Sequence, residues 1–300
     1  MAEPAILTEG LTKDYDGIRA LDGLTLRVER GEIFGFLGPN GAGKTTTIRL
    51  LLDLIRPTAG RASILGVDCQ RRSREARALT GYLPGDLRLY DNLRGREIVA
   101  LFAGLRDGQV DPVHVARLAE RLDLDLSPRA GTYSKGNRQK LGLLLALMHR
   151  PPVLILDEPT SGLDPIVQHT VWELLREEAA RGTTVFFSSH VMSEVERVCE
   201  RVGILRAGRL VAVEPVARLL GRSLHRLEVT FAQPPPPGAF DLPQVTELER
   251  HNATVWLQTA GGLDQLIKAL ARYPVVDLRT EQPSLEEILL AYYQEPVEAR

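Results

Sequence analysis

The sequence is poor in cysteine, which excludes the small disulfide-rich and metal-stabilised classes of protein. Its two cysteines, Cys69 and Cys199, lie far apart and fit no metal or redox spacing. We expect both to be reduced, buried thiols of a cytosolic protein. A chain of 300 residues can bury a large core without covalent cross-links.

A surplus of charge and long apolar runs are also missing. With a net charge of −2 the chain has no basic field for gathering nucleic acid, so we expect no nucleic-acid partner. Its longest apolar run, Leu141–Met148, is far below the roughly 20 residues of a membrane-spanning helix. No signal-peptide pattern opens the sequence. We therefore expect any work at a membrane to go through a partner.

The first 220 or so residues alternate short apolar runs with helical patterns, which predicts an α/β domain. Ile33–Leu37, Val153–Leu156 and Thr184–Phe187 are continuous apolar runs, typical of parallel strands covered on both faces. From about residue 89 to 149 only helical spacing is present, which predicts a helical subdomain inserted into the α/β core.

Residues 221–300 predict a small C-terminal α+β domain with a structural role, because they carry no motif with recognisable chemistry. A run of four prolines, Pro234–Pro237, predicts a stiff surface connection. The predicted strands and helices of this domain are Leu227–Phe231, Thr254–Leu257, Leu263–Arg272 (helix), Val275–Leu278 and Leu285–Tyr293 (helix).

A glycine-rich loop between a predicted strand and a predicted helix has the spacing of a phosphate-binding loop. Its glycines let successive N–H groups converge on one anion, and the following helix adds its positive dipole end. Lys44 would reach the β and γ phosphates, and the hydroxyl of Thr45 would ligate Mg²⁺. The predicted ATP-binding residues of this loop are Gly38, Pro39, Asn40, Gly41, Ala42, Gly43, Lys44, Thr45 and Thr46.

Two carboxylates, Asp157 and Glu158, follow the apolar run Val153–Leu156. By itself, an acidic pair after a strand is usually a helix cap or solvated charge. Together with a phosphate loop it predicts that Asp157 helps to hold Mg²⁺ and that Glu158 polarises the water attacking the γ-phosphate.

Three further segments single out one branch of the phosphate-loop NTPases. Tyr133–Gln139 opens a helix about twenty residues before the acidic strand, Ser161–Asp164 follows the acidic pair, and His190 ends the third apolar run. In order and spacing, residues 6 to 214 resemble the ATP-binding subunit of an ABC (ATP-binding cassette) transporter. The amino-acid sequence around Tyr82–Gly95 and the long C-terminal extension resemble those of ATPase subunits of drug and antibiotic exporters.

This resemblance implies roles for further residues. Tyr15 would stack on adenine, and His190 would contact the γ-phosphate and hold the attacking water. Asp164 would join the interface between two copies of the chain. The residues expected to bind the γ-phosphate of ATP held by the second copy are Ser134, Lys135, Gly136 and Asn137.

The sequence departs from the family at two places. Many members have a glutamine that contacts Mg²⁺ and senses the membrane partner, but here that position is Gly85, followed by Asp86. We expect Asp86 or a water to fill the role. Lys135 and Asn137 replace the commoner glycine and glutamine of the signature segment.

The resemblance implies an ATPase that uses ATP and Mg²⁺ and forms a homodimer. It would power export through a permease on another chain, at the cytoplasmic face of the cell membrane. An importer subunit, an ABC ATPase without a permease and a nucleotide-sensing module that hardly hydrolyses ATP remain open as alternatives.

Overall fold

The computed structural model describes residues 3–106, 110–221, 225–259 and 263–281. The chain divides into two compact units, Met1–Val216 and Ala217–Arg300. Across the described ranges, no helix combines the length and the apolarity that a bilayer crossing requires.

The first unit contains two sheets and seven helices within its described residues. Its strands are β1 (Ile6–Tyr15), β2 (Ile18–Val28), β3 (Ile33–Leu37), β4 (Ala59–Ile64), β5 (Val67–Asp68), β6 (Thr80–Leu83), β7 (Val153–Asp157), β8 (Thr184–Ser189), β9 (Arg201–Arg206) and β10 (Arg209–Pro215). Its helices are α1 (Lys44–Leu51), α2 (Ser73–Ala78), α3 (Gly95–Gly104), α4 (Pro112–Arg121), α5 (Lys135–Leu147), α6 (Pro165–Ala180) and α7 (Met192–Val198). A short helix, α8 (Val216–Gly221), begins at the last residue of this unit.

The central sheet has six strands in the order β10-β9-β3-β8-β7-β6. All neighbours pair in parallel except β10 and β9. Every residue of β3, β7 and β8 is buried, so their sequences are continuously apolar apart from the polar ends. Phe34 and Phe36 pack on Phe186, with ring centroids 5.9 and 5.2 Å away. The predicted α/β fold with a phosphate-loop core is confirmed.

A second, antiparallel sheet has the order β2-β1-β4-β5. Strands β1 and β2 form a tight hairpin in which Tyr15 pairs with Ile18. Asp16 and Gly17 turn the chain with φ angles of 44° and 88°, left-handed values that suit aspartate and glycine. This hairpin presents Tyr15 at its tip.

Helices α3, α4 and α5 occupy the stretch that the sequence predicts to be helical. Helix α5 begins at Lys135, three residues before the apolar spacing starts. The helix starts there because Ser134 is its N-cap: the Ser134 side chain accepts a hydrogen bond of 3.1 Å from the Asn137 N–H. The start of α5 thus coincides with the predicted signature residues.

The second unit has a four-stranded antiparallel sheet and one helix within its described residues. These elements are β11 (His225–Phe231), β12 (Val245–His251), β13 (Thr254–Thr259), α9 (Leu263–Leu270) and β14 (Val275–Glu281), with sheet order β12-β13-β11-β14. Strand β12, an edge strand with no fully buried residue, is not among the strands predicted from the sequence. The proline run lies between β11 and β12, and the predicted helix Leu285–Tyr293 lies outside the described residues.

Candidate functional site

The candidate site lies at one edge of the central sheet, where three neighbouring parallel strands end. Strand β8 lies between β3 and β7, with Leu37 paired to Ser189 and Asp157 paired to Ser188. Since parallel strands end at the same edge, the loop after β3, the acidic pair after β7 and His190 after β8 meet there.

The loop after β3 has a conformation that only glycine fits at two positions. Gly43 has φ 110°, and a Cβ atom there would lie 2.7 Å from the Ala20 carbonyl oxygen. A Cβ on Gly38 would lie 2.5 Å from the Leu205 carbonyl oxygen. The loop encloses a cavity of about 170 Å³, which is lined mainly by residues 40–46 and also by Glu158.

Lys44 holds its ammonium group inside this loop. Its Nζ donates to the carbonyl oxygens of Gly38 at 2.6 Å and Pro39 at 3.1 Å, and the residue is 6% exposed. Burial lowers the pKa of Lys44, and the negative charges of Glu158 and Asp157 oppose that shift. The loop therefore contains a cation and a helix N-terminus, both of which attract phosphate.

Thr45 and Asp157 supply oxygen atoms that fit a magnesium ion. The Thr45 hydroxyl donates to Asp157 Oδ2 at 2.8 Å, and the Ser188 hydroxyl donates to Asp157 Oδ1. Asp157 is only 3% exposed. A hydroxyl and a carboxylate held together are ligands that Mg²⁺ prefers, so the donor set fits the ion expected from the sequence.

Gly85 lies directly beside this pair. A Cβ atom at residue 85 would be 3.1 Å from Asp157 Oδ2. The neighbouring Asp86 instead pairs with Arg88 at 3.2 Å, and its side chain is 76% exposed. The Asp86 side chain is therefore directed away from Asp157, and which group fills the role of the missing glutamine stays a prediction.

Glu158 and His190 contact each other directly. Glu158 Oε1 lies 2.9 Å from His190 Nδ1. The Glu158 backbone has φ 51°, and its N–H donates to the Ser188 carbonyl oxygen at 3.2 Å. A carboxylate and an imidazole in contact beside a phosphate loop can orient a water and accept its proton. The sequence pattern indicates both residues but not the contact between them.

Tyr15 is 39% exposed, and the ammonium of Lys13 lies 4.9 Å from its ring centroid. A network of ion pairs, which the sequence pattern does not indicate, holds the hairpin that carries Tyr15. Its pairs are Arg19–Asp14 (2.9 Å), Arg19–Asp22 (3.1 Å) and Arg209–Asp22 (2.7 Å).

The predicted signature residues are not joined to the phosphate loop of their own chain. Among the described residues, no hydrogen bond or ion pair links Ser134–Asn137 with Gly38–Thr46. Lys135 Nζ instead donates to Ser161 Oγ at 3.3 Å. The expected contact of these residues with ATP held by a second copy stays a prediction.

Asp164 caps helix α6. Its carboxylate accepts from the N–H groups of Ile166 at 3.0 Å and Val167 at 3.1 Å, and these hydrogen bonds lower its pKa. Its expected place between two copies of the chain stays a prediction.

Two buried polar residues near the acidic pair are missed by sequence analysis. Gln139 Nε2 donates to the carbonyl oxygens of Glu158 and Pro159, both at 3.0 Å. Glu194 accepts a hydrogen bond from the Ser189 hydroxyl at 2.6 Å and one from the Thr160 hydroxyl. The sequence signal for Gln139 is its place as the last residue of the segment Tyr133–Gln139, two positions before the apolar run of α5.

Comparison with known proteins gives consistent matches. The family model described as "ABC transporter" matches residues 21–161. The "Nod factor export ATP-binding protein I" of Paraburkholderia xenovorans is 41% identical over 220 residues, covering 71% of each chain. The "Daunorubicin resistance ATP-binding protein DrrA3" of Streptomyces coeruleorubidus is 40% identical over 216 residues, covering 71% of this chain and 68% of that protein.

Among solved structures, one titled "Structure of ATP binding subunit of ABC transporter" superposes with a TM-score of 0.67 and 31% identity. The match covers 72% of this chain and 91% of that one. The fold therefore agrees with the sequence matches.

Proposed function

The chain belongs to the ABC transporter family as an ATP-binding subunit and ATPase, and from that premise we propose that it powers export through a permease on a separate chain. The exported molecule is a drug-, antibiotic- or lipid-like compound. Exporter-type names among the relatives support this direction of transport. The protein works at the cytoplasmic face of the cell membrane, held there by the permease.

The observation that carries the proposal is the convergence of a cation, a hydroxyl–carboxylate pair and a carboxylate–imidazole pair at one sheet edge. Lys44 and the loop N–H groups bind the β and γ phosphates. Tyr15 stacks on the adenine ring. Thr45 and Asp157 would hold Mg²⁺, which would neutralise phosphate charge when bound.

Hydrolysis is the work of the carboxylate–imidazole pair. Glu158 polarises a water and accepts its proton as the water oxygen bonds to the γ-phosphorus and ADP departs. His190 contacts the γ-phosphate and holds the water in line. The contact of 2.9 Å between the two side chains keeps both groups at the same point.

Within the described residues, Ser134–Asn137 make no hydrogen bond or ion pair with the phosphate loop of their own chain, which supports a cycle of dimerisation. The N-terminus of α5 presents N–H groups and a positive dipole end, with Ser134 as its cap. In a dimer, residues Ser134–Asn137 of one copy contact the γ-phosphate on the other, and Asp164 lies between the copies. ATP then closes the dimer, and hydrolysis opens it.

The test is ATP hydrolysis by the purified chain with and without Mg²⁺, together with its size on gel filtration. Glu158→Gln should lower turnover by about 100-fold or more, since it removes the proton acceptor, and should trap an ATP-bound dimer. Glu75→Gln is the matched control, because Glu75 is an exposed partner of Arg72 on α2. A wild-type chain that binds ATP but neither hydrolyses it nor dimerises would instead be a nucleotide-sensing module.

A further inference from the structure

The first turn of α5 rests on the loop that follows the catalytic carboxylate of the same chain. Gln139 bonds to the loop at Glu158 and Pro159, and Lys135 bonds to it at Ser161. Gly136 packs so closely that a Cβ there would lie 3.1 Å from the Gly162 carbonyl oxygen. Three contacts along one helical turn make the helix start and the loop a single packed unit.

Gln139 makes the contact nearest to the chemistry. The residue is 6% exposed, and its amide nitrogen bridges two consecutive carbonyl oxygens at 3.0 Å each. Buried carbonyl groups need a hydrogen-bond donor, and losing that donor is destabilising. An amide that bridges two carbonyls also fixes the orientation of the peptide between Glu158 and Pro159.

That orientation matters because Glu158 has a left-handed backbone. A φ of 51° is uncommon for a residue with a side chain, and the surrounding structure must hold it. The N–H of Glu158 is held from β8 by Ser188, and its carbonyl oxygen is held from α5 by Gln139. A displacement of α5 relative to β8 therefore rotates the peptide that carries the catalytic carboxylate.

We propose that Gln139 is a positioning residue that couples the two ATP sites of the dimer. This inference rests on the proposed function, in which the start of α5 binds the γ-phosphate held by the other copy. When α5 engages that phosphate, Gln139 sets the Glu158 carboxylate of its own site against the attacking water. Each copy then hydrolyses its ATP only after it has bound the ATP of the other, which makes turnover cooperative in ATP.

The test is Gln139→Met, which keeps the side-chain length and removes the N–H donors. Its kcat should fall about tenfold or more, because small misplacements of a catalytic group are costly. Its Hill coefficient for ATP should fall below the wild-type value, while the half-saturating ATP concentration stays within about twofold because ATP still closes the dimer. Combined with Glu158→Gln it should still trap the ATP dimer.

Gln168→Met is the matched control. The Gln168 amide also donates to a carbonyl of this loop, that of Leu163 at 3.1 Å, but has no bond to Glu158. Its kcat and Hill coefficient should match those of the wild type. Equal losses in both variants would show that any weakened loop contact has this effect, and would overturn the proposal.

Gln139→Glu adds a readout that a purely structural role does not move. A carboxylate cannot donate to the two carbonyls, but its protonated form can donate once. Turnover relative to the wild type should therefore rise as the pH is lowered from 8.5 to 6, and a flat ratio would overturn the proposal. A wild-type chain that neither dimerises nor turns over removes both proposals, whereas a cooperative wild type with an equally cooperative Gln139→Met removes only this one.

Discussion

At the scale of single residues, glycine shapes the surroundings of Asp157, a proposed ligand of Mg²⁺. Residue 85 lies where a side chain would touch Asp157, and glycine leaves that space open. Asp86 is adjacent in sequence, but its carboxylate is paired with Arg88 in solvent. The chain bends at residues 85 and 86, and the Asp86 side chain points into solvent toward Arg88, not toward Asp157.

Asp86→Ala should therefore leave ATP turnover and its dependence on Mg²⁺ within about twofold of the wild type. The variant loses only an exposed ion pair, and such pairs contribute little free energy. The comparison is Asp157→Asn, which removes a carboxylate oxygen from the expected ligand set and should raise the Mg²⁺ requirement strongly. Steady-state hydrolysis over a Mg²⁺ titration makes the measurement. A drop in the Asp86 variant as large as that of Asp157→Asn would place Asp86 at the ion after all.

Motif residues could be predicted singly because each has chemistry that depends on its own type and spacing. Gly43, Lys44, Asp157 and Glu158 belong to this group. Gln139 could not be predicted, because its importance lies in two carbonyl groups of a distant loop. Any residue type can supply the backbone carbonyl that accepts such a hydrogen bond. The sequence pattern of the accepting loop therefore does not indicate the contact.

At the scale of elements, the hairpin β1–β2 is braced against the turn between β9 and β10. The N–H of Asp22 donates to the Gly208 carbonyl oxygen, and the N–H of Gly208 donates to the carbonyl oxygen of Ala42 in the phosphate loop, both at 2.9 Å. The charges of Arg19 and Arg209 flank Asp22. This chain of contacts fixes the distance between Tyr15 and the phosphate loop.

Arg19→Met should loosen the hairpin tip, since it breaks two links of that chain. We expect the ATP dissociation constant to rise about threefold, in line with the modest worth of exposed ion pairs. Affinity for inorganic tripolyphosphate, which has no base to stack, should be unchanged. Arg61→Met is the control, because its pair with Glu9 lies in the same sheet. If Arg19→Met weakened the affinities for ATP and for tripolyphosphate equally, these ion pairs would not act by positioning Tyr15.

Element predictions succeed or fail according to burial. Strands β3, β7 and β8 are predicted because covering on both faces demands apolar residues throughout. Strand β12 is missed because an edge strand with exposed side chains carries no such demand, and its sequence is largely polar. Strand β12 pairs with β13 through backbone hydrogen bonds. These bonds do not depend on residue type, so the sequence pattern does not indicate them.

At the scale of the whole molecule, each unit has a core of its own, and the first unit holds every predicted site residue. His149 is part of that first unit and lies beside Leu145, Tyr82 and Phe102. Burial first, and then the positive charge of Arg106, lower the pKa of His149 to about 4.

This shift makes the stability of the first unit depend on pH. The unfolded chain binds the proton near pH 6.5 and the folded chain only near pH 4. The contribution of His149 is therefore fully present above pH 6.5 and is lost as the pH falls toward 4. His149 is partly exposed, so solvent screens its charge. Its protonation therefore lowers the free energy of unfolding at pH 5 by about 1 kcal/mol.

Urea unfolding at pH 7 and pH 5 measures the effect. The free energy of unfolding of the wild type should fall between the two, and His149→Gln should show a fall smaller by about 1 kcal/mol. The pKa of His114 is also lowered by burial, so some pH dependence should remain. Identical slopes in wild type and variant would show that His149 is protonated alike in both states.

The sequence alone determined the fold class, the phosphate loop, the acidic pair and His190, because these follow from local patterns of residue type and spacing. Only the tertiary structure decided that Glu158 touches His190, that Gly85 faces Asp157 and that Gln139 donates to the carbonyl oxygen of Glu158. Those contacts join segments between about 19 and 72 residues apart in the chain. Side chains so distant meet only because parallel strands end at one edge of the sheet and α5 begins beside it, and spacing along the chain does not encode that meeting.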